Sequence, residues 1–523
     1  MKAHLLFRDR DAEIVYPDVD GRARPGVRPG DGASPNSPAR LEAPVDLVAD
    51  LGLEQLFAAM AGGDAFLGAV ARQVVLAPLG DLDTIGYRQA ALHDTLVHRD
   101  AVQAIYDLVV GAIDGERRNF FGLFTRSPES ILHRSSEVMA FFVGVLRQLR
   151  SLAEHHADRF ESEAFTTLFS MLSKELSDDY FAEVDAHLKR LRFSGGVLVS
   201  AELGGGAHGA SYVLRAPNQP TGRRHLRDLF GAGHAHTVVV ADRDEAGLQT
   251  LGQLRDRGVN LVADALARSV DHILAFFRLL RMEIGFYLGA AELHRVLASK
   301  GEPVCVPEVL PTTAQAWSAR GLVDVCLSLT TTEPVVGNDV DADAVPLVMV
   351  TGANQGGKST FLRSVGQAQL MAQCGLFAGA TSLRLSIAEG CFTHFKREED
   401  TSMTHGKLDE ELYRMRAIVD QVAPGSVVLC NESFSATNES EGSEIGRQVV
   451  QALVDCDVRV FFVTHFFDLA DGFARQAATP VRFLRAERGV EGSRPFHLVE
   501  APPRRTGYGE DVYRRVFGDQ AAR

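Results

Sequence analysis

Cysteine is scarce and follows no pattern. Six residues, at 305, 326, 374, 391, 430 and 456, are scattered through 523 with no CxxC pair. That speaks against a zinc ribbon or a disulfide framework and suits a reducing, cytoplasmic setting. Long apolar runs are lacking too, since none reaches the roughly 18 uninterrupted residues of a membrane span. The strongest candidate, HILAFFRLLRMEIGFYLGAAELH, is broken by Arg278, Arg281 and Glu283. It reads as a long amphipathic or buried helix, and no membrane partner is expected. The N-terminus MKAHLLFRDRDAEIV meets charge at once, unlike a signal peptide. There is no excess of basic residues: 54 Lys and Arg against 68 Asp and Glu leave a net charge of −14. Phosphate neutralisation needs clustered Lys and Arg, so the bulk charge weighs against nucleic acid. A local basic surface can nevertheless coexist with an acidic total. No repeat at a solenoid period is present.

What is there is an ordinary globular composition, 46% hydrophobic and 23% charged, in a chain long enough for two or more domains. Residues 18–44 are rich in Pro, Gly, Arg and Asp and poor in apolar side chains, so 1–45 is expected as a flexible arm. From residue 46 to about 302 the apolar spacing is three and four, as in VDLVADLGLEQLFAAMA and DAVQAIYDLVVGAI, which predicts helices. Two β-prone runs around a glycine-rich turn, at 193–217, predict a short hairpin inserted among them. From 303 to 523 short branched runs (VPLVMV, CFTHF, SVVLC, VRVFFVTH) alternate with helical stretches. The fold class expected is therefore a helical front half followed by a compact α/β back half.

The stretch Gly352-Ala353-Asn354-Gln355-Gly356-Gly357-Lys358-Ser359 satisfies GxxxxGK[ST], with a strand-like run before it and a helix-like run after it. Glycines let backbone N–H groups turn toward a phosphate, Lys358 supplies a point charge for the β and γ oxygens, and Ser359 offers a hydroxyl to Mg²⁺. A second strand ends in Asn431-Glu432, where many such ATPases carry Asp-Glu. Asn431 can still accept from a metal-bound water but lacks the charge, so weaker magnesium binding and slow turnover are expected; Glu432 remains to polarise water. A third strand ends in Thr464-His465, and a histidine there can reach the γ-phosphate, because ligands in open α/β sheets bind at the carboxyl ends of strands. His394 and His405 read as structural.

These elements in this order resemble the MutS family of DNA mismatch repair ATPases, a branch of the ABC-type fold. TGANQGGKST is similar to that family's phosphate loop, CNESFSATNESEG to its strand-end motif and D-loop with Asn438 and Glu441, and FFVTHFFDLA to its histidine switch. PVVGND (Pro334 to Asp339) resembles the loop around the adenine, RRTGYGEDVYRRVFG the closing Tyr-Gly segment, and Val74 to Leu96, more weakly, the core domain. The resemblance implies a helical core or lever domain followed by an α/β P-loop (ABC-type) ATPase domain, with ATP and Mg²⁺ as cofactors. It implies Glu432, His465 and Asn354 as catalytic, and Gly352, Gly357, Lys358, Ser359, Thr360 and Asn338 as nucleotide-binding. Ser359, and Asn431 through a water, would hold the metal. It also implies a homodimer with composite ATP sites, a partner in duplex or branched DNA, and a repair partner protein. Gly406 stands where the family has a serine. Only a short arm precedes the core, so the mismatch-reading domains are expected to be absent. The triplet Phe181-Ala182-Glu183 lies in a helical segment and reads as part of it, not as a mismatch probe.

Two functions stay open: a dimeric ATP-driven DNA clamp in repair or recombination, touching phosphates through residues such as Arg192 or Arg215, or an ATP-gated interaction switch that has lost DNA binding. A kinase or GTPase fits poorly, as no guanine-reading NKxD is present.

Overall fold

The computed structural model describes residues 1–8, 45–120, 127–194, 196–205, 209–215, 239–240, 244–353, 355–397, 406–476, 479–487 and 495–505. The chain divides into two compact units. The first comprises Met1–Ala3, Asp100–Phe160 and Thr166–Arg281; the second comprises His4–Arg99, Glu161–Phe165 and Met282–Arg523. The boundary expected near residue 302 thus falls inside the second unit.

Helices in chain order are α1 (Val45–Leu51), α2 (Leu53–Ala61), α3 (Ala65–Val75), α4 (Leu82–Val97), α5 (Arg99–Phe120), α6 (Pro128–His156), α7 (Glu163–Glu175), α8 (Asp178–Leu191), α9 (Glu245–Ser299), α10 (Val325–Thr330), α11 (Lys358–Gln373), α12 (Lys407–Val419), α13 (Glu439–Asp455) and α14 (Phe467–Arg475). Strands are β1 (Leu198–Leu203), β2 (Gly209–Arg215), β3 (Glu308–Leu310), β4 (Trp317–Leu322), β5 (Asn338–Asp341), β6 (Leu347–Thr351), β7 (Ser382–Ser386), β8 (Cys391–Phe395), β9 (Val427–Asn431), β10 (Arg459–Val463), β11 (Val481–Ala486) and β12 (Leu498–Glu500). Among the described residues no helix is long and apolar enough to cross a membrane.

The first unit is helical because its sequence supplies both stops and stripes. Ser127 caps α6 by accepting from the Ser130 amide, with Pro128 at the first helical position, where its missing N–H costs nothing. Leu132, Ser135, Val138, Met139, Phe142, Leu146 and Leu149 recur at three and four along α6 and are buried. Phe142 meets Phe277 of α9 edge-on at 5.3 Å. β1 and β2 pair antiparallel, Val199 opposite Leu214. It lies on α9 at Gly258, where a Cβ would come within 2.5 Å of Val199. Phe181 is buried in α8 beneath the Arg147 guanidinium, 4.8 Å from its ring centre, so the Phe-Ala-Glu triplet is part of a helix.

The second unit is built around two sheets. One is six-stranded, in the order β12-β11-β6-β10-β9-β8. Its members from β11 to β8 run parallel, and β12 pairs antiparallel at the edge. The other, β3-β7-β4-β5, is four-stranded and mixed. β6 is buried at every residue, as near-continuous apolar strands of a parallel sheet are.

Helix α11 is wholly buried from Ser364 to Gln373, and three of those positions are glutamines. Gln367 bridges the Leu51 carbonyl at 2.9 Å, the Asp324 carboxylate at 2.7 Å and the Val325 amide at 2.9 Å. Gln369 takes the Trp317 indole N–H at 3.0 Å, and Gln373 donates to the carbonyls of Leu79 and Ala388. These amides satisfy backbone groups that burial would otherwise leave orphaned, and they fix the helix in register.

One correction concerns the N-terminal arm. Residues 9–44 lie outside the described residues, but Leu5 and Leu6 are buried. The Leu5 amide donates to Glu283 at 2.8 Å, while Tyr287 and Arg88 donate to the carbonyls of Leu5 and Leu6 at 2.6 and 2.9 Å. Their apolar side chains gain more from burial than a free arm would give them.

Candidate active site

The register of the six-stranded sheet decides which loops meet. Val463 of β10 lies opposite Val350 of β6 on one side and Asn431 of β9 on the other. The three loops that follow these strands, from Gly352, Glu432 and Thr464, therefore leave one end of the sheet side by side, at the carboxyl ends of the strands. The Thr464 amide donates to Val350 O at 3.0 Å and the Glu432 amide to Val463 O at 2.8 Å, tying the loops together.

The loop from β6 to α11 turns by left-handed residues: Gly352 at φ 115°, Gln355 at 62° and Gly357 at 85°. Two glycines are required by space as well. A Cβ on Gly352 would stand 2.9 Å from Ala486 of β11, and one on Gly356 would stand 2.7 Å from the Ala486 Cβ and 2.9 Å from Ala353 O. Lys358 opens α11 and is only 5% exposed. Its Nζ donates to the carbonyls of Gly352 at 2.8 Å and Ala353 at 3.1 Å. Ser359 Oγ donates to Asn431 Oδ1 at 2.9 Å, which joins the start of α11 to the end of β9. Thr360 follows, half-buried.

His465 Nδ1 lies 3.5 Å from Glu432 Oε2. The hydrogen bond from His465, aided by the charges of Lys358 and Lys396 and opposed by burial, holds the Glu432 carboxyl below the usual range. Glu432 is thus ionised at neutral pH. Glu432 itself stands at φ 53° and Phe434 at 64°, backbone conformations that non-glycine residues adopt only where the surroundings hold them.

Other candidates take distinct places. Asn338 is buried, its amide donating to Phe496 O at 3.2 Å and its oxygen accepting from the Leu498 amide at 2.7 Å. That anchors the segment whose Phe496 carbonyl would meet a Cβ on Gly357 at 3.2 Å. Asn438 caps α13 by accepting from the Glu441 amide at 3.0 Å. Gly406 is exposed at the start of α12. Asn354, His405 and the Tyr-Gly tail lie outside the described residues.

The donor set suits a magnesium-bound triphosphate: an ammonium, a hydroxyl at a helix N-terminus, and a glycine-rich turn that brings backbone close to a ligand. Ser359 Oγ and Asn431 Oδ1, already adjacent, could hold a divalent cation directly and through a water.

Sequence reasoning missed the group behind Glu432. His394 of β8 is fully buried, Nδ1 2.7 Å from Ser433 Oγ and Nε2 2.9 Å from the Glu411 carbonyl. Burial pushes its pKa down to about 4, against the opposing Glu411 hydrogen bond. Unfolded, the ring titrates near 6.5, so between about 4 and 6.5 the unfolded chain binds the extra proton. Its contribution is present above about 6.5 and lost as pH falls toward 4. From pH 7.5 to 5 the loss is about 2 kcal/mol. Denaturant unfolding at those two pH values, followed by the fluorescence of Trp317, the single tryptophan, should show it. His394→Gln should remove most of that slope, and equal slopes in both proteins would refute the assignment.

Comparison with known proteins now identifies the family. Residues 80–300 match the family described as MutS2 N-terminal domain, and residues 348–512 match MutS domain V. The chain belongs to the MutS family. Within the MutS family it is similar to the DNA mismatch repair protein MutS of Chloroflexus aurantiacus, 32% identical over 145 residues, 27% of this chain and 15% of that protein. It is similar to the probable DNA mismatch repair protein Msh6 of Drosophila melanogaster, 32% identical over 171 residues, covering 32% and 14% of the two chains. MutS of Thermus aquaticus is 32% identical over 178 residues, 34% of this chain and 22% of that one. The match to these MutS relatives thus spans less than a quarter of their lengths. The domain V match begins at Val348 in β6 and takes in every loop described above.

Proposed function

We propose that the chain is an ATPase that binds DNA and acts as a homodimeric, ATP-driven clamp in DNA repair or recombination. One observation carries the reading: Lys358, the Ser359–Asn431 pair and the Glu432–His465 pair gather at the carboxyl ends of three adjacent parallel strands. In this reading the Lys358 ammonium binds the β and γ oxygens, and Ser359 with Asn431 holds Mg²⁺. The bound ion supplies charge neutralisation at the phosphoryl oxygens. Glu432, kept ionised, orients the attacking water, and His465 holds Glu432 while sensing the γ-phosphate. The names of the relatives support a DNA partner. With asparagine at 431 the metal site has one negative charge fewer than an aspartate would give, and turnover is slow.

The net charge of −14 favours a second reading, an ATP-gated interaction switch without DNA. A gel-shift titration against salt, with ATP and a panel of duplex, mismatched and branched DNAs, separates them. A clamp making about four phosphate contacts should lose about 100-fold in affinity between 50 and 200 mM salt. Absence of ATP-dependent binding at low salt would discard the clamp and leave the switch.

A further inference from the structure

The turn that presents Glu432 is held from behind. Glu432 and Phe434 both lie in the left-handed region, at φ 53° and 64°, each at a cost on the order of 1 kcal/mol. Ser433 between them is buried, and its Oγ lies 2.7 Å from His394 Nδ1 and 2.9 Å from His394 O. The imidazole also lies against the Phe434 ring, centroids 5.5 Å apart and planes 29° from parallel. Its other nitrogen reaches the Glu411 carbonyl on α12 at 2.9 Å. A carbonyl can only accept, so Nε2 carries the proton. In the neutral ring Nδ1 is then an acceptor, and the single hydroxyl proton of Ser433 is shared between Nδ1 and His394 O. One buried ring therefore fixes the residue after Glu432, stacks on the residue beyond it and fastens both to α12.

We propose that His394 and Ser433 form a positioning pair for Glu432, holding the left-handed turn that aims its carboxylate and coupling that aim to α12. This rests on the reading of Glu432 as the water-orienting carboxylate. Neither residue touches the reacting atoms, so the expected signature is in turnover and not in nucleotide binding.

Ser433→Ala removes one hydroxyl, and His394→Phe keeps the stacking on Phe434 while deleting both hydrogen bonds. Each variant should lower kcat about 10- to 100-fold, since a misplacement of about 1 Å costs on that order, with KM and Kd for ATP within about twofold of wild type. In a Glu432→Gln background neither should lower the residual rate further, because groups acting through one another are not additive. Without nucleotide, amide exchange of a peptide covering Glu432 to Phe434 should rise about tenfold in both variants. A change confined to KM, an additive loss in the Glu432→Gln background, or unchanged exchange would each overturn the proposal. If His394→Phe does not fold, Ser433→Ala carries the same test. If the wild type hydrolyses no ATP, the ATPase reading fails while the exchange measurement still decides whether the pair holds the turn: a rise supports the clamp on Glu432, and no rise overturns it.

Discussion

Lys358→Ala should abolish nucleotide binding while leaving the fold in place. The ammonium lies at the first position of α11, 5% exposed, donating to the carbonyls of Gly352 and Ala353 at 2.8 and 3.1 Å. It is the charge within the glycine turn, so its removal would leave a phosphate with only the neutral backbone donors and the Ser359 hydroxyl from this loop. A charge-assisted hydrogen bond contributes about 1.5–3 kcal/mol, and an ammonium in contact with two phosphates makes more than one. The expected loss of ATP affinity is therefore at least about 100-fold. Stability should change little by comparison. Alanine removes a buried charge and is a better helix former than lysine, which offsets the two carbonyl contacts that disappear. Calorimetric titration with ATP reads the affinity, and Trp317, whose indole donates to Gln369 of the same helix at 3.0 Å, reports the integrity of α11. Turnover at the wild-type rate in this variant would show that the loop is not a phosphate site.

What the sequence made legible follows from how local each feature is. The strands β6, β9 and β10 could be read because each is a short apolar run closed by a turn or a polar pair, and β1–β2 because two β-prone runs flank a glycine turn. The gathering of their loops was foreseeable from motif order alone, since parallel strands place all their carboxyl ends on one side. The division into a six-stranded and a four-stranded sheet was not, because β4 and β7 pair across 60 residues and more. Nor was the role of the buried glutamines. A helix that follows a phosphate-loop pattern is expected to bury an apolar face, but α11 buries Gln367, Gln369 and Gln373, whose partners lie on α1, α10, β4 and distant loops. Asn338 illustrates the same limit, as its amide is occupied by Phe496 and Leu498 some 160 residues away. His394 carried no signal in the chain at all. A lone histidine in a strand becomes informative only when the Ser433 hydroxyl and the Glu411 carbonyl are seen at its two nitrogens. The arm was misjudged at its first residues because composition over 18–44 was extended back to Leu5 and Leu6, which are buried.

Glu432→Gln should stop hydrolysis while preserving ATP binding, and so accumulate the ATP-bound state. The substitution keeps the shape of the side chain and a hydrogen-bonding group facing His465, 3.5 Å away in the wild type, but removes the charge that orients and polarises water. Loss of a general base costs typically about 10²- to 10⁴-fold in rate. Affinity should hold or rise, since the variant no longer sets a carboxylate beside the γ-phosphate. The pH profile separates this role from a structural one. His465 and the nearby Lys358 and Lys396 hold the Glu432 carboxyl below its usual range, so it stays charged through mildly acidic conditions. Wild-type turnover should therefore be flat in its Glu432-dependent limb from pH 7.5 down to 6, whereas a carboxyl raised well above its usual range would begin to lose rate there. If composite ATP sites form between two copies, blocking hydrolysis should also lengthen the life of the dimer. Sizing chromatography of Glu432→Gln with ATP and Mg²⁺ should then give the mass of two chains, and without nucleotide a larger share of one. A monomer under both conditions would separate hydrolysis from dimerisation: Glu432 could still be the water-orienting group, but the site would be complete within one chain, and ATP could not act as the closing element of a clamp.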